Sequence, residues 1–379
     1  MVTILIAGYH GFGNCGDEAI LRAMVTSFRR MADDIDIVAL SNDPDFTKKE
    51  YNIEAVQRFK LKEVLSAVKK CDILVLGGGT LLQDGTSTRS LVYYLSIVKA
   101  AEIFGKRVML YANGIGPVDG KINRCLMRRV LKKAECITLR EKLSCNDLNN
   151  IGVKNENTIV TADPAFRLEG VEPEDAENLL QKAGVPPGDK KRIGVSVRAW
   201  NKARYGDDYC AKIAEACDIM SEKGYEIVFI PMQYPSDIAV SDKIAAMMKN
   251  EAHVLRAKYT PEEILSIIGC CDAMLSMRLH ALIFAAVTNI PMAGIIYDPK
   301  IEYYLKELDM PACGDVRSDM IDSGQIVSVL DDIFSNDLSY RERLASRAAI
   351  MTDKAEENDR LLEAQLDIIR KKKEKRERL

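Results

Sequence analysis

Short apolar runs alternate along the whole chain with longer stretches in which apolar residues recur every three or four positions. A buried parallel strand is apolar almost throughout, whereas a covering helix carries one apolar stripe, so this rhythm predicts parallel sheets flanked by helices, an α/β architecture. In the first half the runs predict strands at 3–8, 35–40, 73–76, 108–112, 136–139 and 158–161. Between the first two, Ile20, Met24, Phe28 and Met31 mark the buried face of a helix over 17–31. From Arg167 to Arg192 the pattern breaks into Pro173, Gly184, Pro186, Pro187 and Gly188 among acids and lysines, which predicts a domain boundary. A second series follows, with strands at 193–197, 226–231, 253–255, 273–276 and 292–296. A chain of 379 residues exceeds one ordinary core, and two domains are expected, over 1–170 and 190–379. The stretch from Lys70 to Leu76 echoes that from Cys270 to Ser276, which we attribute to the general likeness of α/β units.

Composition narrows the function. Hydrophobic residues make up 47% and charged residues 29%, the balance of a folded protein with a substantial core. With 53 basic and 56 acidic side chains the net charge is -3, so nothing draws the molecule as a whole to nucleic acid, and any anion site must be local. Ten cysteines without a C-x-x-C pair read as buried, reduced thiols, and three histidines are too few for a His-rich metal site. The first residues enter a strand-like run without the features of a secretory signal, and no segment reaches the ~18 apolar residues of a membrane span. A cytoplasmic location is expected. The amphipathic stretch 361–369 runs into a basic tail over 370–378. That tail reads as a solvated helix end favoured by the dipole, or alternatively as a peripheral contact with the inner face of the membrane.

Ligands of open parallel sheets gather beyond the carboxyl ends of the strands, and glycine-rich turns stand at those places here. They are Gly8 to Glu18, Gly77-Gly78-Gly79-Thr80 and Asn113 to Pro117. Gly11-x-Gly13-x-x-Gly16 has the form of a dinucleotide fingerprint. Asp17 and Glu18, however, would set two carboxylates where a pyrophosphate needs bare N–H groups, so a hydroxyl-rich partner fits better. Asp17 is then either a sugar acceptor or an ordinary helix-start acid. In the second half Met277-Arg278-Leu279-His280 ends a strand and opens a helix, joining a guanidinium, an imidazole and free amides in a pocket suited to phosphate and carboxylate. Tyr297-Asp298-Pro299-Lys300 brings Lys300 to the same rim, Arg198 ends the first strand of this half, and Arg140 plays the matching part in the first half. His10, in the glycine turn, is a candidate substrate contact, and His253 reads as plain surface.

At these residues the chain resembles the polysaccharide pyruvyl transferase family, in particular bacterial enzymes acting on cell-wall polymers that anchor S-layer proteins. The resemblance rests on Gly8 to Leu21, on Gly77 to Asp84 (G-G-G-T-L-L-Q-D), on Asn113 to Pro117, on Asp163-Pro164, on Ser276 to Ala285 (S-M-R-L-H-A-L-I-F-A) and on Tyr297 to Lys300. It implies two Rossmann-like domains facing across a cleft in the GT-B manner, the first on the acceptor side and the second on the donor side. Phosphoenolpyruvate would be the co-substrate, and no metal or nucleotide cofactor is implied. The acceptor would be a lipid-linked disaccharide or polysaccharide, with N-acetylmannosamine receiving a 4,6-ketal and phosphate released. On this resemblance Arg140, Arg198, Arg278 and Lys300 bind the donor and His280 is the general acid. Asp17, Gly78, Gly79, Asp84, Asn113 and Asp163 are the candidates for acceptor contacts or for a base. The rival expectations are a GT-B glycosyltransferase using a nucleotide sugar and a non-catalytic glycan-binding module.

Overall fold

The apolar runs of the first half assemble into one parallel sheet. In the computed structural model, which describes residues 1–85, 87–200, 208–318 and 320–377, its strands are β1 (Val2–His10), β2 (Ile35–Ser41), β3 (Glu54–Gln57), β4 (Ile73–Gly77), β5 (Arg107–Asn113), β6 (Cys136–Leu139) and β7 (Thr158–Val160). They lie in the order β3-β2-β1-β4-β5-β6-β7, all parallel. The second sheet is built from β8 (Arg192–Ser196), β9 (Glu226–Phe229), β10 (His253–Val254), β11 (Ala273–Ser276), β12 (Met292–Ile296), β13 (Ala312–Asp315) and β14 (Met320–Ile321). Its order, β10-β9-β8-β11-β12-β13-β14, repeats that of the first, with β14 alone antiparallel. Each sheet is therefore a doubly wound Rossmann-like layer whose order reverses once, between β1 and β4 and between β8 and β11.

All eleven strands expected from the sequence are present, and β3, β13 and β14 are additional. These three are short and stand at or next to a sheet edge, where few apolar positions are demanded and the hydrophobic signal fades.

The chain divides into two units that do not follow a single cut in sequence. One comprises Met1–Phe12, Asp17–Arg167 and Met351–Leu379, and the other Gly13–Gly16 and Leu168–Ile350. Where the sequence suggested domains over 1–170 and 190–379, the segment 168–189 joins the second unit and the end of the chain joins the first. The chain end crosses over along the 41-residue helix Asp337–Glu377. Its Leu362, Leu366 and Ile369 are buried in one cluster with Val2, Ile4, Ile6, Met24 and Phe28. Asn358, fully buried, accepts from Thr161 Oγ1 (2.8 Å) and donates to the Ala162 carbonyl (3.1 Å), which fastens the helix just beyond β7. Farther along, Arg370 pairs with Asp34 at 2.6 Å, and Lys373 Nζ reaches Asp72 Oδ2 at 2.7 Å and the Met1 carbonyl at 2.8 Å. The basic tail is thus helical through residue 377 and partly tied down within the first unit, and Arg378 lies outside the described residues.

The internal echo marks equivalent places. Asp72, just before β4, accepts the Thr3 N–H of β1 at 2.9 Å and returns its own N–H to the Thr3 carbonyl at 2.9 Å. Asp272, before β11, does the same with Arg192 of β8, both at 2.8 Å. One aspartate per sheet locks the two central strands in register. The ten cysteines are free thiols, and burial pushes Cys71 up to about 12 and Cys136 up to about 11, so neither is a ready nucleophile. No helix among the described residues is long and apolar enough to cross a membrane.

Truncating Leu366 to alanine removes a fully buried anchor and is expected to cost about 2–5 kcal/mol. Ile368→Ala, on the 39% exposed side of the same helix, is expected to stay within about 0.5 kcal/mol. Urea unfolding followed by far-ultraviolet circular dichroism compares the two.

Candidate active site

In the second unit the strand order reverses between β8 and β11, and the residues leaving those strands include Arg198, Arg278 and His280. Ser276 ends β11, and its Oγ accepts the Arg278 N–H at 2.9 Å, turning the chain into the helix Leu279–Val287 with Arg278 at the N-cap. No side chain caps that helix start. The Arg278 guanidinium lies in a two-point fork on Asp237, with Nε to Oδ2 at 2.8 Å and Nη2 to Oδ1. Asp237 is 1% exposed and accepts also from the amides of Met232 (3.2 Å) and Gln233 (3.0 Å). A buried carboxylate with these partners fixes both the position and the plane of the cation, while Nη1 stays outside the fork.

His280 is the second residue of the same helix, and its ring is seated on Gly16. A Cβ at Gly16 would stand 2.0 Å from His280 Nδ1 and 2.4 Å from Cγ, so any side chain there must displace the imidazole. The segment Gly13–Gly16 runs beside the loop after β9. Asn14 bridges Gln233, the Cys15 N–H donates to the Met232 carbonyl (2.8 Å), and the Tyr234 N–H donates to the Gly13 carbonyl (2.9 Å). At Gly13, with φ of +72°, a Cβ would meet the Tyr234 carbonyl oxygen at 2.9 Å. The last two glycines of G-x-G-x-x-G therefore make room for protein, which accounts for the pattern without a dinucleotide.

The neighbouring strand ends extend the cationic rim. Arg198, two residues past β8, lies 4.6 Å over the ring of Tyr297, which follows β12, and Trp200 meets that ring edge-on at 5.5 Å. Asp298 caps the helix Pro299–Leu308 by accepting the Lys300 N–H at 2.9 Å, which places Lys300 in its first turn. Arg198, Arg278 with His280, and Lys300 thus follow the carboxyl ends of three adjacent strands, β8, β11 and β12.

In the first unit the rim residues divide into two groups. Arg140 is buried between two carboxylates, with Nε to Glu141 at 2.9 Å and Nη1 to Asp163 at 2.7 Å, and it also donates to Thr80 Oγ1 at 3.1 Å. One cation among two anions leaves no positive charge over, so this arginine braces the turns after β4, β6 and β7 and is poorly suited to attract an anionic donor. Asp163 is fully buried in that network and accepts the Ala165 N–H at 3.0 Å. Asp84 accepts from the amides of Asp119 (2.9 Å) and Gly120 (3.0 Å) and from Asn123 Nδ2 (2.7 Å). Burial raises its carboxyl, but the Asn123 and backbone hydrogen bonds outweigh that and hold it below the ordinary value, the opposite of what a base near neutrality requires. Asn113, fully buried, donates to the carbonyls of Leu76 (2.9 Å) and Tyr111 (3.2 Å) and so ties β4 to β5. These four are occupied in holding the rim together.

Asp17, Gly78 and Gly79 do come together. A Cβ on Gly79 would approach Asp17 Oδ1 to 2.8 Å, and Gly78 is pinned by its N–H to the Tyr111 carbonyl at 2.8 Å. Nearby, Tyr9 and Phe12 form a half-exposed stack, with centroids 4.1 Å apart, over a buried cation that the sequence did not single out. Arg58, 4% exposed, donates to the Gly8 carbonyl (2.8 Å) and Tyr94 Oη (3.0 Å), with the rings of Tyr93, Phe12, Phe59, Tyr94 and Tyr9 around it at 4.8 to 6.0 Å. Its guanidinium lies 46 residues after Phe12, and no local pattern links it to that turn. Asp237 was likewise hidden, 41 residues before its partner Arg278. His10, expected as a substrate contact, is 1% exposed in the first unit.

Burial first, and the Arg58 charge second, push the His10 imidazole from 6.5 down to about 3, against a smaller opposing backbone hydrogen bond at Asp17. Between those values the unfolded chain binds a proton that the folded chain refuses, so stability is complete above pH 6.5 and falls as the pH drops toward 3. The slope expected from this group is about 1.4 kcal/mol per pH unit. Unfolding curves across that range, compared with those of His10→Gln, are expected to show a shallower acid loss in the variant.

With the site in place, comparison with known proteins adds three findings. The family profile described as Polysaccharide pyruvyl transferase matches residues 14–299, about three-quarters of the chain. The chain is 23% identical over 401 aligned positions to the amylovoran biosynthesis protein AmsJ of Erwinia amylovora, an alignment covering 91% of this chain and 95% of that one. Solved structures of similar architecture include the UDP-GlcNAc 2-epimerase of Neisseria meningitidis bound to UDP-GlcNAc, with a TM-score of 0.63 at 13% identity over 97% of this chain and 100% of that one. Anabaena Alr3699/HepE in complex with UDP-glucose gives a TM-score of 0.66 at 11% identity, again over 97% and 100%. At such identities the likeness is one of fold, and it places the two Rossmann-like units in the GT-B class.

Proposed function

The chain belongs to the polysaccharide pyruvyl transferase family, and from that premise we propose that it transfers the pyruvyl group of phosphoenolpyruvate to two hydroxyls of a sugar, forming a 4,6-ketal and releasing phosphate. The observation that carries this reading is the Arg278 fork on buried Asp237, two residues before His280 at an uncapped helix start. Phosphoenolpyruvate carries a phosphate and a carboxylate on three carbons, and an oriented guanidinium with helix amides suits either group. Arg198 and Lys300 supply further positive charge along the same rim. Arg140 is left out of the donor site because two carboxylates already compensate it.

In this mechanism His280 delivers a proton to the methylene carbon, which becomes the methyl group, while positive charge develops at C2. One sugar hydroxyl attacks C2, the bond from C2 to the phosphate oxygen breaks, and the second hydroxyl closes the ring. The two hydroxyl protons balance the hydrogen gained by the methyl group and the proton left with phosphate. The role of the imidazole explains the bare backbone at Gly16, since the ring occupies the space of a side chain. On the first unit, Asp17 beside Gly79 offers a hydroxyl acceptor, and the Tyr9–Phe12 stack offers an apolar face for a sugar ring. The relative named for amylovoran biosynthesis supports a polysaccharide acceptor. The narrower acceptor within this reading is N-acetylmannosamine of a lipid-linked cell-wall precursor, with no metal or nucleotide required.

The nucleotide-sugar alternative draws on the fold neighbours bound to UDP-sugars. Incubation with phosphoenolpyruvate and acceptor, following free phosphate and the mass of the product, separates the two. We expect one ketal per phosphate released. His280→Gln is expected to lower kcat by about 100- to 10,000-fold with little change in the KM for phosphoenolpyruvate. Arg278→Ala is expected to raise that KM, and Gly16→Ala to follow the histidine variant. Transfer from a nucleotide sugar with no turnover of phosphoenolpyruvate would replace this reading with the glycosyltransferase one.

A further inference from the structure

A further surface of the first unit begins where the rings of Phe59 and Tyr93 border Arg58. Phe59 is 65% exposed and Leu61 69% exposed at the start of the helix Leu61–Lys70, and Leu65, one turn on, is also exposed. Beside them, between this helix and the helix Thr88–Ile103, runs a groove of about 240 Å³ lined by Phe59, Leu61, Leu65, Tyr93 and Ile97 among others. Single exposed apolar side chains are ordinary, but three large ones within two turns, opening on an apolar groove, form a patch that calls for a partner. Lys60, Lys62, Lys69 and Lys70 are all exposed around it, and the one acid of the stretch, Glu63, pairs with Lys60 at 3.0 Å.

We infer that the helix Leu61–Lys70 and the groove beside it dock onto an anionic lipid bilayer. The two features together decide the occupant. Apolar side chains at one end of an amphipathic helix enter the boundary between headgroups and acyl chains, while lysines beside them are drawn to anionic headgroups. A neutral apolar partner leaves the four lysines unaccounted for, and a purely acidic one leaves Phe59 and Leu61 in water. Two cations of the basic tail, Arg370 and Lys373, are already engaged by Asp34 and Asp72. Its purpose, bringing the first unit to a membrane that carries the acceptor, rests on the function proposed above. The docking itself does not.

The full chain is sedimented with vesicles of phosphatidylcholine alone and of phosphatidylcholine with three-tenths phosphatidylglycerol, at low and high salt. We expect binding to the anionic vesicles that weakens as salt rises, and little to the neutral ones. The pairs Leu61→Ser with Leu65→Ser and Lys62→Glu with Lys69→Glu are each expected to weaken partitioning by about 10-fold or more. Lys371→Glu with Lys372→Glu should bind as the parent does. Should the leucine pair disturb folding, seen as a lowered melting temperature, the exposed lysine pair still decides the matter. Transfer to a water-soluble acceptor, measured alongside, should be unchanged in all three variants, so that a failed transferase reading and a failed docking reading give different results. Absence of binding to anionic vesicles, equal binding to neutral ones, or binding that both helix pairs leave intact would each overturn the inference. A concentration-dependent dimer lost in the leucine pair, with no vesicle binding, would assign the patch to a second copy of the chain.

Discussion

A carboxylate taken out of water must be compensated where it stands, and Asp237 meets that demand with two amides and the fork of Arg278. The consequence is functional. Because the carboxylate is fixed by backbone, the guanidinium is held in one plane before any ligand arrives, and binding need not bear the cost of ordering a long side chain. The same turn carries His280, whose ring is set by close contact with Gly16 rather than left to rotate freely. Cation and imidazole are thus placed by the buried carboxylate and the bare glycine beside them.

The duplicated sheet explains where these groups sit. Both units share one strand order, and in each an aspartate before the fourth strand of the series, Asp72 or Asp272, locks the central pair. Each sheet has one place where its order reverses, and each uses it differently. The second unit lines that edge with arginine, histidine and lysine at the ends of β8, β11 and β12. The first lines it with tight glycine turns, Asp17 and an aromatic stack, and keeps its arginines internal, Arg140 among carboxylates and Arg58 among rings. The two units thus present different surfaces at equivalent places, one cationic and the other built of glycine turns, a carboxylate and aromatic rings.

Much of the fold was legible because buried parallel strands leave a strong mark: β6, β11 and β12 were bounded from the sequence as the structure has them. The domain limits were less so. A pattern read along the chain assigns the last helix to its sequence neighbours, whereas Leu362 and Leu366 are buried against strands more than three hundred residues earlier. In the site, residues next to strand ends were found by position, since topology alone puts them on the rim. Their roles followed less readily. Nothing local tells Arg140, saturated by Glu141 and Asp163, from Arg278, which is oriented by a single carboxylate and keeps Nη1 outside the fork. Asp84 and Asn113 look like rim acceptors in the sequence, and only the hydrogen bonds they make reveal them as braces.

On the function proposed above, Arg278 and His280 form a donor site prepared in advance for phosphoenolpyruvate. A crystal structure of the protein with that molecule bound tests it most directly. The expected density shows an anionic group of the ligand hydrogen-bonded to Arg278, the Asp237 fork unchanged, and the methylene carbon turned toward the His280 ring. Ligand density elsewhere, with Arg278 untouched, would contradict it.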